Sequence, residues 1–173
     1  KNRTGLNDSI TIVPTGGLDK IITFIALLGA NQLNIAVLHD YDGKSNQKID
    51  ELIKSKIINP KSIKNTSLYT EHKDKPSDIE DLLSTKIYID YFNKTFEKQL
   101  TEKIKISELP NGTRIVERIN RYLKEKTITL RPSGGFNHYL VASTFSSNPP
   151  KTIDENTLSN FENLFKDINS ILE

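Results

Sequence analysis

Two aspartates one residue apart, Asp40 and Asp42, follow directly after the apolar segment Asn34–His39. An apolar segment of this length, bounded by polar residues, predicts a buried central strand. Open α/β sheets bind ligands beside the carboxyl ends of their strands, so both carboxylates are expected at that edge of a parallel sheet. Carboxylate oxygens are ligands that Mg²⁺ and Mn²⁺ prefer, and such ions commonly act on phosphates. The pair therefore predicts a divalent-metal site.

Three other interpretations of this acidic pair compete with a metal site. An Asp-x-Asp-Gly stretch is typical of a simple turn, because Asp bonds to its own backbone and Gly43 accepts positive φ. An EF-hand loop beginning at Asp40 fits poorly, since Ser45 stands where that loop requires glycine. Phosphatases with an aspartyl nucleophile also carry Asp-x-Asp after a strand. In those enzymes we expect the motif on the first strand, with a small hydroxyl residue in place of Lys44.

A second acidic cluster spans residues 77–81, Ser-Asp-Ile-Glu-Asp. Ser77 stands three residues before Glu80, which matches a capping box, a helix-start motif that contributes about 1 kcal/mol. Asp78 would then add a charge that the N-terminal end of the helix dipole favours. If instead the third strand runs beside the second, Asp78 and Glu80 reach the same sheet edge as the first pair. Four carboxylates there would hold two cations, as two-metal phosphoryl transfer requires.

One predicted helix carries basic side chains along a single face. They recur at spacings of four, three and three: Arg114, Arg118, Arg121 and Lys124. Such a stripe would follow the phosphate backbone of DNA. The same pattern also describes a solvated face in which Glu117 and Arg121 pair at i, i+4. Elsewhere, Gly16 and Gly17 precede a helix and could cradle a phosphate on backbone N–H groups, but the full spacing of a nucleotide-binding loop is absent.

Strands and helices alternate over the first 70 residues. The predicted strands are Ser9–Val13, Asn34–His39 and Thr66–Thr70, and the predicted helices are Leu18–Ala30 and Gln47–Lys56. This alternation implies right-handed βαβ crossovers and a parallel sheet. The first helix is apolar on nearly every face, so we expect it to be buried against the sheet. Further helices are predicted at Ser77–Gln99 with a possible break, Thr113–Lys126, Phe136–Phe145 and Asp154–Leu172. The fold class is α/β, a parallel sheet flanked by helices with a mostly helical C-terminal part.

Composition and a proline-containing segment indicate how the chain is organised. Residues 146–150, Ser-Ser-Asn-Pro-Pro, are the best linker candidate. They separate a domain at 1–148 from a linker and C-terminal helix at 149–173, which we expect to pack on a neighbour. A chain without Met that begins at Lys1 suggests an excised domain.

The same composition limits the chemistry and the partners. Without Cys, any metal must be held by oxygen or imidazole. The formal charge of +2 makes no case for nucleic acid by itself. No apolar run approaches the roughly 20 residues that a bilayer requires, and we expect a cytoplasmic protein.

Several motifs occur in an order and spacing that resemble one family. They are residues 12–21 (Ile-Val-Pro-Thr-Gly-Gly-Leu-Asp-Lys-Ile), 27–30 (Leu-Leu-Gly-Ala), 37–42 (Val-Leu-His-Asp-Tyr-Asp) and 77–82 (Ser-Asp-Ile-Glu-Asp-Leu). From about Arg3 to Phe145, the chain resembles the TOPRIM domain of the OLD (overcoming lysogenization defect) family. The resemblance implies a TOPRIM-like, Rossmann-like sheet and a nuclease that uses Mg²⁺ or Mn²⁺ to cut DNA. It also implies an ABC-type ATPase domain earlier in the same polypeptide, through which alone ATP would act, and a homo-oligomer.

Carried over by position, the resemblance implies five metal ligands: Asp19, Asp40, Asp42, Asp78 and Glu80. In the corresponding mechanism, one cation near Asp40, Asp42 and Asp19 polarises the scissile phosphate. A second cation near Asp78 and Glu80 assists the leaving oxygen, and water attacks.

The chain departs from the family pattern at two places. The family has Glu four residues before the aspartate matched to Asp19, and this chain has Thr15 there. A Lys expected late in the domain is also missing, and His138 is the candidate catalytic replacement or else a structural residue. Two alternatives to a nuclease follow. One is a catalytically silent TOPRIM-like module that binds DNA or a partner, and the other is an aspartyl phosphatase acting on small phosphoesters.

Overall fold

The computed structural model describes residues 2–29 and 33–172, without the side chains of Leu18 and Asp19. These residues contain six helices and two strands: α1 Leu18–Gly29, β1 Val37–His39, α2 Gln47–Lys54, β2 Ile63–Asn65, α3 Thr85–Thr95, α4 Ile115–Glu125, α5 His138–Ser147 and α6 Glu155–Leu172. The chain divides into two compact units. The first unit is Lys1–Ile79 with Ser159–Glu173, and the second is Glu80–Leu158. The mixed α/β class is confirmed.

The sheet of the first unit is a parallel pair formed by β1 and β2, with Leu38 opposite Lys64. The parallel direction is confirmed, but the sheet is smaller than predicted. The prediction of a first strand at Ser9–Val13 is wrong, since Ser9 lies in a turn and residues 10–13 join no ladder within the described residues. Ile12 is 73% exposed there. Alternating apolar residues fit a strand, but a strand also needs a neighbour with which to pair.

The predicted strand at Thr66–Thr70 is also wrong, because β2 ends just before it and a 3₁₀ turn, Thr66–Tyr69, follows. Asn65 explains this turn, since its Oδ1 accepts hydrogen bonds from the backbone N–H of Ser67 at 3.1 Å and from the Ser67 hydroxyl at 2.7 Å. A side chain that bonds to the backbone two residues onward favours a turn over a ladder.

α1 is buried along one stripe only. Ile21 and Ile25 belong to an apolar cluster with residues of β1 and α2. Leu27, by contrast, is 63% exposed. The expectation that this helix is buried on nearly every face is therefore wrong, because a two-stranded sheet and one neighbouring helix cover a single stripe. Ala30, the predicted last residue of the helix, lies outside the described residues.

The C-terminal helix α6 packs on the first unit of its own chain. Glu162 forms an ion pair with Arg3, with 2.6 Å between Oε2 and Nη1. The hydroxyl of Tyr69 donates to Asp167 Oδ2 at 3.0 Å. Leu164 is buried. The part of this helix that belongs to the first unit packs on its own chain, so the expectation that it packs on a neighbour is wrong there.

The contact between α6 and the N-terminal segment should depend on pH. Hydrogen bonds from Lys166 and from the Thr4 backbone, with a further one from Arg3, lower the pKa of Glu162 to about 2 from 4.5. A lowered carboxylate pKa stabilises the folded state fully above its ordinary value, and this stabilisation is lost as pH falls through the folded value. We expect the Thr4 amide shift, measured by NMR, to show a transition centred at about pH 2 that Glu162→Gln removes. Asp8→Asn is the control, and loss of the transition there too would contradict this assignment.

The second unit is a helical assembly around an aromatic core. Phe92 is fully buried, and its ring meets that of Phe136 edge-on with 4.9 Å between centroids. The helices predicted at 113–126 and 136–145 are confirmed as α4 and α5, each shifted at its ends by one or two residues. α4 buries one apolar face, which includes Ile115, Ile119, Tyr122 and Leu123.

The long helix predicted at Ser77–Gln99 is interrupted. A 3₁₀ turn at Ile79–Leu82 comes first, and α3 follows with Ser84 as its N-cap residue. The capping-box interpretation of Ser77 is therefore wrong. The Ser77 side chain is buried and lies 2.8 Å from the Thr66 hydroxyl instead.

Candidate functional site

An antiparallel bridge lies just beyond the carboxyl end of β1 in the first unit. The backbone N–H of Tyr41 donates to the Ser77 carbonyl at 2.9 Å, and that of Ser77 donates to the Tyr41 carbonyl at 2.8 Å. In an antiparallel register, the residue before one member faces the residue after the other, so this register continued by one pair would set Asp40 opposite Asp78. Cβ atoms at such paired positions are typically about 4.5–5.5 Å apart, which suits carboxylates that share a cation. The register thus aligns one residue from each acidic cluster.

Asp40 also fixes the segment that follows Ser77. Its Oδ1 accepts a hydrogen bond from the backbone N–H of Ile79 at 3.0 Å. Asp40 is exposed to solvent, whereas Asp78 is only 6% exposed. The two opposed positions therefore combine a solvent-facing carboxylate with a buried one.

A glycine shapes the turn that follows the bridge. Gly43 has a φ of 83°, in the left-handed region, and a Cβ added there would lie 3.0 Å from Pro76 Cγ. Both the backbone conformation and the close approach therefore favour glycine. The turn that Asp-x-Asp-Gly predicts is present, and it leaves Asp42 exposed two residues after Asp40. A turn and a metal site are compatible at this position.

His39 belongs to the same edge, although no sequence motif singled it out. Its Nδ1 lies 2.6 Å from the backbone oxygen of Asp40. Because a carbonyl oxygen only accepts, Nδ1 carries the proton, and Nε2 is the acceptor of the neutral ring. Metal-binding histidines commonly have their other nitrogen held in this way. The available signal was the position of His39 at the end of an apolar strand, directly before Asp40.

The donor chemistry of this edge suits a divalent cation. Asp40, Asp42 and Asp78 offer hard oxygen donors, as Mg²⁺ and Mn²⁺ require. Among the described side chains, however, no three or more His, Asp or Glu residues form a group that could hold a metal ion. Asp19 lies in the first turn of α1, and its side chain is outside the described part of the structure. The predicted set of metal ligands therefore stays a prediction.

The loop before α1 is a double-glycine turn. Gly16 and Gly17 have φ values of 71° and 130°, and the Thr15 hydroxyl donates to the Gly17 carbonyl at 3.4 Å. Thr15 stands where the resembled family has Glu, and in this chain it closes the turn locally. Phosphate binding by this loop stays a prediction.

Glu80 and His138 are in polar contact within the second unit. His138 Nδ1 lies 3.2 Å from Glu80 Oε1, and its ring lies against Phe136 with 4.7 Å between centroids. Burial raises the pKa of Glu80, but the hydrogen bond with His138 and the positive charges of His138 and Arg114 lower it below its usual value. Glu80 thereby orients the imidazole of His138. The roles of Glu80 as a metal ligand and of His138 in catalysis stay predictions.

Asp81 has a structural role that no local pattern signals. Its Oδ1 accepts a hydrogen bond from the backbone N–H of Ile115 at 2.7 Å. Ile115 is the first residue of α4, so the carboxylate satisfies one of the amides left unpaired at a helix start and complements the helix dipole. Since 34 positions separate the two residues, the sequence could not reveal this cap.

Two of the four basic residues of the predicted stripe bind the loop that precedes α4, and a third, Arg114, is the N-cap residue of that helix. Arg118 Nε donates to the Pro110 carbonyl at 2.8 Å, and Arg121 Nη2 donates to the Asn111 carbonyl. Gly112 makes this packing feasible, because a Cβ there would lie 2.8 Å from Arg121 Nη2. These contacts hold both guanidinium groups in place.

The remaining features of this face leave both interpretations of the stripe open. The predicted pair of Glu117 and Arg121 is present, although its 3.8 Å separation is long. Lys124 is exposed. A guanidinium group has more N–H donors than one loop contact uses, so each arginine keeps donors that a phosphate could use. DNA binding by this face therefore stays a prediction.

Comparisons with protein-family models, with curated proteins and with solved structures find no match for this chain. The likeness to OLD-family TOPRIM domains therefore depends on the residues quoted above. Helices in the described part of the chain lack the length and apolar character needed to cross a membrane.

Proposed function

We propose that this protein is a divalent-metal-dependent DNA endonuclease, the TOPRIM-like nuclease part of an OLD-type ATP-dependent enzyme. The bridge between Tyr41 and Ser77 supports the proposal, because its register, continued by one pair, would set Asp40 opposite Asp78. That register lies at the carboxyl end of a parallel strand pair, where open α/β sheets bind ligands. The proposal includes an ABC-type ATPase domain in the same polypeptide and assembly into a homo-oligomer.

The residues of this edge have distinct parts in the proposed hydrolysis. Bound Mg²⁺ or Mn²⁺ would polarise the scissile phosphate and lower the pKa of water. Asp40 and Asp78 would supply two of the ligands, and Asp42 and Asp19 are further ligands that the resemblance implies. The Ile79 N–H orients the Asp40 carboxylate before any ligand binds, which reduces the ordering required at binding. His39 offers Nε2 as a further acceptor at the same edge.

A second candidate function is a catalytically silent TOPRIM-like module that binds DNA or a partner. Thr15 favours this candidate, because it replaces the Glu of the resembled family and its hydroxyl bonds to the Gly17 carbonyl. A hydroxyl in a neutral turn supplies neither the negative charge nor the proton transfer of a carboxylate.

Plasmid cleavage by the full-length protein tests the proposal and separates the two candidates. We expect supercoiled DNA to be nicked or linearised with Mg²⁺ or Mn²⁺, with ATP affecting the rate, and to stay intact with EDTA. Cleavage that persists in EDTA would contradict a metal-dependent mechanism. DNA binding without cleavage under all these conditions would favour the silent module.

A further inference from the structure

A buried pair of hydroxyl groups lies directly behind the acidic edge. Thr66 is 1% exposed and Ser77 is 2% exposed. The Thr66 hydroxyl lies 2.8 Å from the Ser77 hydroxyl and donates to the Ser77 carbonyl at 2.8 Å. Since the Thr66 proton goes to the carbonyl, the Ser77 hydroxyl is the donor to Thr66 Oγ1. Both hydroxyl groups are thus paired with each other in a site from which water is excluded.

This pair connects the end of β2 to the bridge that sets the acidic register. Thr66 directly follows β2, where the side chain of Asn65 turns the chain. The Ser77 carbonyl accepts from the Tyr41 backbone and from the Thr66 hydroxyl at the same time. A single bridge with two backbone hydrogen bonds specifies register weakly, and a slip by one residue would turn Asp78 to the opposite face. The buried hydroxyl pair supplies the additional contacts that oppose such a slip.

We propose that Thr66 is a positioning residue for the metal-binding edge, acting through Ser77 to keep Asp78 opposite Asp40. This inference rests on the proposed function for its consequence, although the register itself can be measured without metal. Removing the hydroxyl while keeping the side-chain shape should loosen the bridge, because the Ser77 hydroxyl would lose its acceptor in a buried site. Thr66 touches neither substrate nor metal in this role.

The test compares Thr66→Val with Thr66→Ser in the full-length protein. Valine keeps the shape and removes the hydroxyl, whereas serine keeps the hydroxyl. Thr70→Val is the matched control, since Thr70 is also a buried threonine of this unit and its hydroxyl donates to Ser67 rather than to Ser77. We expect Thr66→Val to weaken Mn²⁺ binding about 10- to 100-fold, as the loss of supporting contacts around metal ligands commonly does. Thr66→Ser and Thr70→Val should bind Mn²⁺ like the parent, measured by calorimetry and by the spin-resonance spectrum of the ion.

Exchange of the Tyr41 backbone amide separates failure of this inference from failure of the proposed function. If the parent does not bind Mn²⁺, the proposed function fails, and the amide alone decides the positioning role. Faster exchange in Thr66→Val, restored in Thr66→Ser and absent in Thr70→Val, supports that role. Parent-like exchange or parent-like Mn²⁺ affinity in Thr66→Val overturns it. Should Thr66→Val fail to fold, Ser77→Ala removes the partner hydroxyl and is judged by the same measurements.

Discussion

Replacing Asp40 by Asn is expected to lower Mn²⁺ affinity by at least about 100-fold and to abolish metal-dependent cleavage, since even supporting contacts around ligands are worth about 10- to 100-fold. The asparagine side chain keeps a carbonyl oxygen that can accept the Ile79 N–H, so the backbone near the bridge should be retained. The substitution therefore removes charge with little change in shape. Calorimetric titration with Mn²⁺ and plasmid cleavage by the full-length protein measure the two effects.

Asp74→Asn is the matched control for this experiment. It makes the same charge change at an exposed position of the same unit, and the left-handed φ of 60° at Asp74 is one that asparagine tolerates. Its Mn²⁺ affinity should equal that of the parent. If Asp40→Asn takes up Mn²⁺ as the parent does, the acidic edge is not a metal site, and the turn interpretation of Asp-x-Asp-Gly is sufficient.

The helices of the second unit were predictable because the spacing of apolar residues within each segment indicates a helix. α4 repeats apolar residues at helical spacing over 11 residues, and its buried face follows from that pattern alone. The strands were less predictable, since each of them is only three residues long. Ser9–Val13 has the composition of a strand and still forms none, because pairing depends on a neighbour that the local pattern does not contain.

The candidate site was predictable where it depends on local sequence and was not predictable where it depends on tertiary contacts. The position of Asp40 after a strand could be inferred from the apolar run before it, and β1 indeed ends at His39. The bridge between Tyr41 and Ser77, whose register would set Asp78 opposite Asp40, depends on contacts between distant segments. The local sequence predicted that Ser77 caps a helix, whereas in the structure its buried hydroxyl pairs with that of Thr66. Hydroxyl groups and carboxylates have several local partners available, so their tertiary partners are hard to infer from spacing.

The basic face of α4 should give the second large effect, through the salt dependence of DNA binding. If the stripe contacts phosphates, replacing Arg114, Arg118 and Arg121 together by Gln should weaken binding to every DNA sequence alike, because phosphate contacts position the protein without reading bases. The plot of log affinity against log salt should flatten by roughly 0.9 for each lost contact on duplex DNA. Binding titrations of the full-length protein at several salt concentrations measure that slope.

The loop contacts of Arg118 and Arg121 make the slope more informative than the affinity. Both side chains bind carbonyls before α4, so the triple variant should also lose stability, by about 1 kcal/mol for each hydrogen bond. A less stable protein binds more weakly at every salt concentration, but its slope changes only if ions are released differently. A control variant carries Gln at three exposed lysines of the second unit, Lys98, Lys103 and Lys151, so its net charge equals that of the arginine variant. Its plot of log affinity against log salt should keep more of the parent slope. An unchanged slope in the arginine variant would mean that this face is solvated and that its arginines serve the loop, leaving the acidic edge as the sole structural argument for a nuclease.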